Sequence, residues 1–180
     1  AHTAAGYDET IKAFDLGVRH ITHLYNAQSG LSHRAPGVVG AVFDRAKKDG
    51  VQAEIICDGF HIHPAALRIA FAMLCEDNSI IISDSMRAAG HFDGEYDLGG
   101  QTVYVKDGKA LLADGTIAAS TSNVYEELKN VINFGIPVKQ AIKSATINPA
   151  RSIRVDKETG SIKEGKNADL LVVDKDMNIK

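Results

Sequence analysis

The stretch EIICDGFHIHPAALRIAFAMLCEDNSIIISD, from Glu54 to Asp84, decides the fold class. Its ends are short runs of apolar and β-branched residues. Between them Leu67, Ala70, Phe71 and Leu74 recur at i, i+3, i+4 and i+7, one face of a helix. A helix is expected from Pro64 to Cys75, with Pro64 in the first turn, where its missing N–H is not needed. VQAEIICDGFHI before it and SIIIS after it read as strands. Near-continuous apolar runs are what strands covered on both faces look like. Strand, helix, strand argues for an α/β fold with parallel strands.

Upstream, Tyr7 to Leu16 is expected to be helical, with Ile11 and Phe14 at helix spacing, acidic Asp8 and Glu9 in the first turn and Gly17 as the stop. VRHITHLYNA reads as another strand, and Asn26 to Gly40 as loop. Downstream the pattern changes. QTVYVKDGKALLA alternates about Asp107-Gly108, a hairpin signal. Helices are expected from Ser122 to Phe134, with Val124, Leu128, Val131 and Ile132 inward, and again after Pro137, with Val138, Ala141, Ile142 and Ala145 inward. The tail is expected to end in a strand over Leu170 to Val173. The opening AHTAAGYDET sets His2-Thr3 directly before a helix start, as if a chain were cut at the end of a strand.

The 180 residues are 44% hydrophobic and 24% charged, ordinary for a globular domain. A net charge of −3 without a basic block argues against a nucleic-acid partner. No apolar run is long enough to span a bilayer, so no membrane partner is expected. Cys57 and Cys75 both sit in apolar runs and read as buried free thiols of a reducing, cytoplasmic setting.

Polar residues gather where the strands end: His23 and Asn26 after the first, Asp58, His61 and His63 after the second, Asp84 after the third. In parallel α/β barrels such ends build the site. Each has a plain alternative. His2 reads as a solvated terminal histidine or a ligand, and His23 as a hydrogen-bonded core histidine or a ligand. His61-Ile62-His63 has metal-motif spacing, but Pro64 starts a helix at once, so His61 alone as a substrate contact is preferred. Arg34 reads as a surface charge or as a phosphate or carboxylate clamp. GTIAAS offers only backbone amides and Ser120. An ionised Asp84 ending an apolar strand needs something to stabilise it.

The motifs AHTAAGYDETIKAFDLGVRHITHLYNA, SHRAPGVVGA, EIICDGFHIHPAAL, IISDSMRAAG, DGTIAAS, ATINPAR and GSIKEGKNADLLVVD follow one another as they do in N-acetylglucosamine-6-phosphate deacetylases, and the chain resembles that family of the amidohydrolase superfamily along its whole length. The resemblance implies the C-terminal half of a (β/α)8 TIM-like barrel. AHT would end barrel strand five, and THLYNA, IICDGFH and IISDS would be strands six to eight. Strands one to four and most of five would be missing. Residues 1–159 would form the partial barrel, and residues 160–180 would be the C-terminal strand region of a small β domain.

The resemblance further implies a divalent metal, zinc or iron-type, held by His2 and His23 with a glutamate from an earlier strand. It implies substrate contacts at Asn26, Ala27, Arg34, His61, Ile117, Ala118 and Ala119, and Asp84 as catalytic acid/base. The implied substrate is an amino-sugar phosphate, and the implied full-length enzyme is a homodimer. This chain alone is expected to be inactive. Three positions depart from the pattern: Ala35 where many members carry Glu, Ala119 where Gly is usual, and Ser85 where Ala is common. Two other readings stand beside this one. One is an amidohydrolase for a different N-acyl or cyclic amide, and the other a non-catalytic α/β interaction domain.

Overall fold

The computed structural model describes residues 2–180. Three parallel strands form its first sheet: β1 (His20–Ile21), β2 (Gln52–Ile56) and β3 (Ser79–Ile82), in the order β1-β2-β3. Between them run α2 (Gly37–Asp49) and α3 (Pro64–Asn78), and α1 (Tyr7–Asp15) precedes them. The strand–helix–strand reading therefore holds. Leu67, Ala70, Phe71 and Leu74 are the buried residues of α3, the face expected from their spacing. The regular helix breaks at Cys75, whose φ is +59°. Cys57 is buried as expected. Cys75 is exposed, a correction that follows from the break, which takes it off the apolar face.

The helix α2 lies partly inside the expected loop. It starts at Gly37, and Val38, Val39, Ala41, Val42, Phe43 and Ala46 enter the main core. Tertiary burial of this face overrides the low helix preference of its glycines and β-branched valines. Ser29 ties its start down: its hydroxyl accepts from Val38 N–H at 2.9 Å and donates to the Ala5 carbonyl at 2.5 Å. Gly37 has φ +61°, and a Cβ there would lie 2.7 Å from the Ser29 and Gly30 carbonyl oxygens. Gly50, at the other end of α2, has φ +67° but open space around it. Gly37→Ala is therefore expected to cost more than the ~1–3 kcal/mol of backbone strain alone, and Gly50→Ala only that strain. Urea unfolding of the two variants measures the difference, and equal costs would contradict the close approach.

The strands are shorter than their apolar runs. After Ile21 the chain bends, and His23, Tyr25 and Ala27 all take positive φ. After Ile56 it bends through Asp58 to Ile62. One face of β2 is less covered than its apolar run suggests, since Gln52 and Glu54 are only half-buried. There Glu54 bonds the His20 Nε2 at 2.8 Å, and His20 Nδ1 meets the Ser152 hydroxyl at 2.7 Å. The His20 bond holds the Glu54 carboxyl below its ordinary range despite partial burial. This line joins the first two strands to α6 (Ile147–Ser152).

The second sheet is antiparallel: β4 (Gly94–Leu98), β5 (Gln101–Lys106), β6 (Lys109–Leu111) and β7 (Ile117–Ala119), in sequence order. The expected hairpin is present, with Lys106 opposite Lys109 and positive φ at both Asp107 and Gly108, the geometry of a tight two-residue turn. Met86, Ala88, Val103, Val105 and Ala110 form a small core of their own beneath it. The helices α4 (Val124–Asn133) and α5 (Val138–Ala145) return to the first sheet. Val124, Val138 and Ile142, expected inward, are substantially exposed, while Glu127, Gln140 and Ser144 are buried. The expected strand over Leu170 to Val173 is not formed. Leu170, Leu171 and Val172 are exposed, and only Val173 makes a bridge, to Ile179. An apolar run becomes a strand only where a partner offers backbone groups to pair with.

Candidate active site

Most of the implied site residues lie where the parallel strands end. Thr3 pairs in parallel with Gln28, and its N–H donates to the Ala27 carbonyl at 3.0 Å. This pairing brings the start of the chain beside the turn after β1. The rings of His2 and His23 consequently stand with centroids 4.9 Å apart. His2 is exposed, whereas His23 is buried and its Nδ1 has no hydrogen-bond partner. A buried ring nitrogen without a partner costs stability unless something occupies its lone pair. Two adjacent imidazoles with such a lone pair fit a divalent metal of the zinc or iron type. Among the described residues no cluster of three or more His, Cys, Asp or Glu side chains could hold a metal.

Asn26 and Ala27 follow in the same turn. The Asn26 N–H donates to the His23 carbonyl at 3.0 Å, and its side-chain amide to the Leu24 carbonyl at 3.3 Å. His23 (φ +31°), Ala27 (+50°) and Asp84 (+48°) are all non-glycine residues in the left-handed region. Such strain persists where the surroundings over-determine it, and it concentrates at functional sites.

Asp84 is exposed, so in this chain its carboxylate is solvated. Its backbone is held by the second sheet. Ser85 and Ser120 form a parallel bridge, Ser120 N–H donates to the Asp84 carbonyl at 3.3 Å, and Met86 N–H donates to the Ser120 carbonyl at 2.9 Å. Ile117, Ala118 and Ala119 are the three residues of β7, which leads directly into Ser120. The antiparallel sheet thus delivers the implied substrate loop to the implied catalytic residue.

His61 does not share a ligand site with His63. Its Nδ1 lies 2.6 Å from Asp58 Oδ2, while His63 Nδ1 accepts from Ala65 N–H and caps α3. Asp58 also accepts from the Phe60 and His61 N–H groups at 2.8 and 2.9 Å. Burial works against the Asp58 carboxylate, but the His61 and amide bonds outweigh it and hold its pKa below the ordinary value. This fixes the His61 ring and leaves Nε2 without a protein partner among the described residues. Lys109, just past the hairpin turn, lies 4.6 Å above the Phe60 ring and pins the same loop. Arg34 is exposed and makes no hydrogen bond or ion pair with another side chain among the described residues.

Two further residues belong to this region. In the sequence Asp58 is one more strand-end polar residue, and Glu127 carries no motif; its one signal is its place next to Leu128 and one turn before Val131 on the inward face of α4, an unusual place for a carboxylate. It is fully buried; one oxygen accepts from the Ser122 hydroxyl and the other has no partner.

The amidohydrolase family profile matches residues 1–180. The chain is 36% identical over 180 residues to an N-acetylgalactosamine-6-phosphate deacetylase of Escherichia coli O157:H7, covering 99% of this chain and 47% of that one. It is 39% identical over 179 residues to an N-acetylglucosamine-6-phosphate deacetylase of Bacillus subtilis, covering 99% of this chain and 44% of that one. It is also similar, with a TM-score of 0.91 and 34% identity over 99% of this chain and 47% of that one, to a mutant N-acetyl-D-glucosamine-6-phosphate deacetylase from Mycobacterium smegmatis solved with N-acetyl-D-glucosamine-6-phosphate. The chain thus spans about half the length of these relatives. A profile matched from end to end and a shared backbone lead to one conclusion: this mixed α/β chain belongs to the amidohydrolase family.

Proposed function

We propose that the chain is part of a metal-dependent deacetylase that hydrolyses N-acetylglucosamine 6-phosphate to glucosamine 6-phosphate and acetate. The observation that carries this reading is the His2–His23 pair, with ring centroids 4.9 Å apart and a buried, unpartnered ring nitrogen on His23, at the end of the same parallel sheet whose third strand leads to Asp84. In this reading β1, β2 and β3 are the sixth, seventh and eighth strands of a (β/α)8 barrel. Residues 1–159 belong to the barrel unit, and residues 160–180 to a small β domain. The full-length enzyme is a homodimer, checkable by sedimentation.

His2 and His23 hold the metal together with a third ligand from another part of the enzyme. When bound, the metal supplies Lewis acidity that brings a water's pKa towards neutrality. Asp84 takes a proton from the attacking water as the new C–O bond forms, and returns it to the sugar nitrogen as the C–N bond breaks. The Arg34 guanidinium and His61 Nε2 hold the phosphate, with Asp58 keeping the His61 ring in place. Asn26, Ala27 and the Ile117–Ala119 strand line the sugar.

The test is kcat/KM in the full-length enzyme for N-acetylglucosamine with and without the 6-phosphate. A charge-assisted hydrogen bond contributes about 1.5–3 kcal/mol. Arg34→Ala is therefore expected to lower kcat/KM for the phosphorylated sugar roughly 10–10²-fold and to leave the unphosphorylated sugar unchanged. An unaltered preference for the phosphate would remove Arg34 from the site.

A further inference from the structure

Glu127 is a buried carboxyl that the mechanism above leaves unused. It lies on α4, between the two halves of the candidate site. On one side the Ser122 hydroxyl donates to its Oε1, and Ser122 is joined to Ser120 twice, hydroxyl to hydroxyl at 2.7 Å and Ser122 N–H to the Ser120 hydroxyl at 3.0 Å. Ser120 is 2% exposed, and its backbone holds the Asp84 carbonyl and the Met86 amide. On the other side are Cys57, Asp58 and His61. We propose that Glu127 is a positioning residue for Asp84, acting through the Ser122–Ser120 hydroxyl chain.

The chemistry of the carboxyl gives this chain two strengths. Burial pushes the Glu127 pKa up to about 7; the Ser122 bond opposes that and the Asp58 charge adds to it. The groups facing Glu127 from the end of β2 and the loop beyond are the Cys57 backbone N–H and thiol, Asp58 and His61; the N–H and His61 favour its ionised form and Asp58 opposes it. β3 carries no charge, and the α5 lysines Lys139 and Lys143 are taken up by Glu76 and Asp77. An ionised carboxylate accepts a stronger bond from Ser122 than a protonated one does, so the segment tightens as pH rises through neutrality. The same ionisation opposes folding. A carboxyl whose native pKa is raised binds more protons folded than unfolded, and its stabilising contribution is lost as pH rises through the native value. A residue that lowers stability at working pH is expected where a site requires it.

The inference rests on the reading of Asp84 as catalytic, but its first test does not. In the 180-residue chain, the backbone amide resonances of Ser120 and Asp84 are expected to titrate together near neutrality, with the Glu127 carboxyl carbon. In Glu127→Gln both amides should become flat over that range, and the melting temperature should rise relative to wild type at pH 8 but not at pH 5. In Ser122→Ala the Glu127 carbon should still titrate while the two amides cease to follow. This variant decides the question even if Glu127→Gln does not fold. Amides that follow pH equally in wild type and Ser122→Ala would overturn the proposal. In the full-length enzyme, Glu127→Gln should lower kcat with KM unchanged and remove a neutral limb from its pH profile. A wild-type kcat profile would overturn the catalytic consequence. If no deacetylation is found at all, the function reading fails while the amide titration still stands.

Discussion

Asp84→Asn in the full-length enzyme is expected to keep its metal and its fold while turnover falls ~10²–10⁴-fold, the usual contribution of a positioned general acid–base. The substitution isolates proton transfer. Asp84 holds φ +48°, and asparagine tolerates that region as well as aspartate does. Its side chain is exposed, so no core contact is lost. The bond from Ser120 N–H is to the Asp84 backbone carbonyl and is untouched. What changes is one oxygen becoming an amide nitrogen, which cannot accept a proton from water or return one to an amine. Single-turnover kinetics beside metal analysis make the comparison. Turnover within a factor of about three of wild type, with metal retained, lies far below any general-base contribution and would sink the role of Asp84.

The second large effect concerns the metal. Catalytic zinc sites usually have three protein ligands and a water. The described residues bring together only His2 and His23, with no third His, Cys, Asp or Glu beside them. The 180-residue chain is therefore expected to lose added divalent metal on dialysis and to show no measurable deacetylation. Adding the rest of the catalytic unit should restore both. His23→Ala should abolish this restoration, because the buried Nδ1 has no other partner. His63→Ala should not, because that ring caps α3. Stoichiometric divalent metal and full turnover from this chain alone would show that the ligand set is wrong.

How much of this could be read in advance depended on how local the signal was. The inward face of α3 follows from the spacing of Leu67, Ala70, Phe71 and Leu74, because helix geometry alone puts them on one side. The hairpin follows from Asp107-Gly108, because only such residues readily take positive φ twice in succession. The family followed from ordered motifs. The helix α2 is not legible locally, because glycines and valines argue against a helix and its stability comes from a core made by distant segments. The strand expected over Leu170 to Val173 failed for the converse reason: its pattern is apolar, but no neighbouring strand pairs with it.

The site divides in the same way. His23, His61 and Asp84 stand out in the sequence because each is a polar residue ending an apolar run. Only the tertiary structure set His2 beside His23, through the Thr3–Gln28 pairing, separated His61 from His63 by giving one to Asp58 and the other to a helix cap, and held Asp84 against Ser120. Glu127 was legible as a carboxylate on an inward face but not as a link to Asp84. The reason is physical: side-chain type and periodicity are properties of a short segment, whereas the partner of a hydroxyl or a ring nitrogen is decided by which segments parallel pairing and core packing bring together.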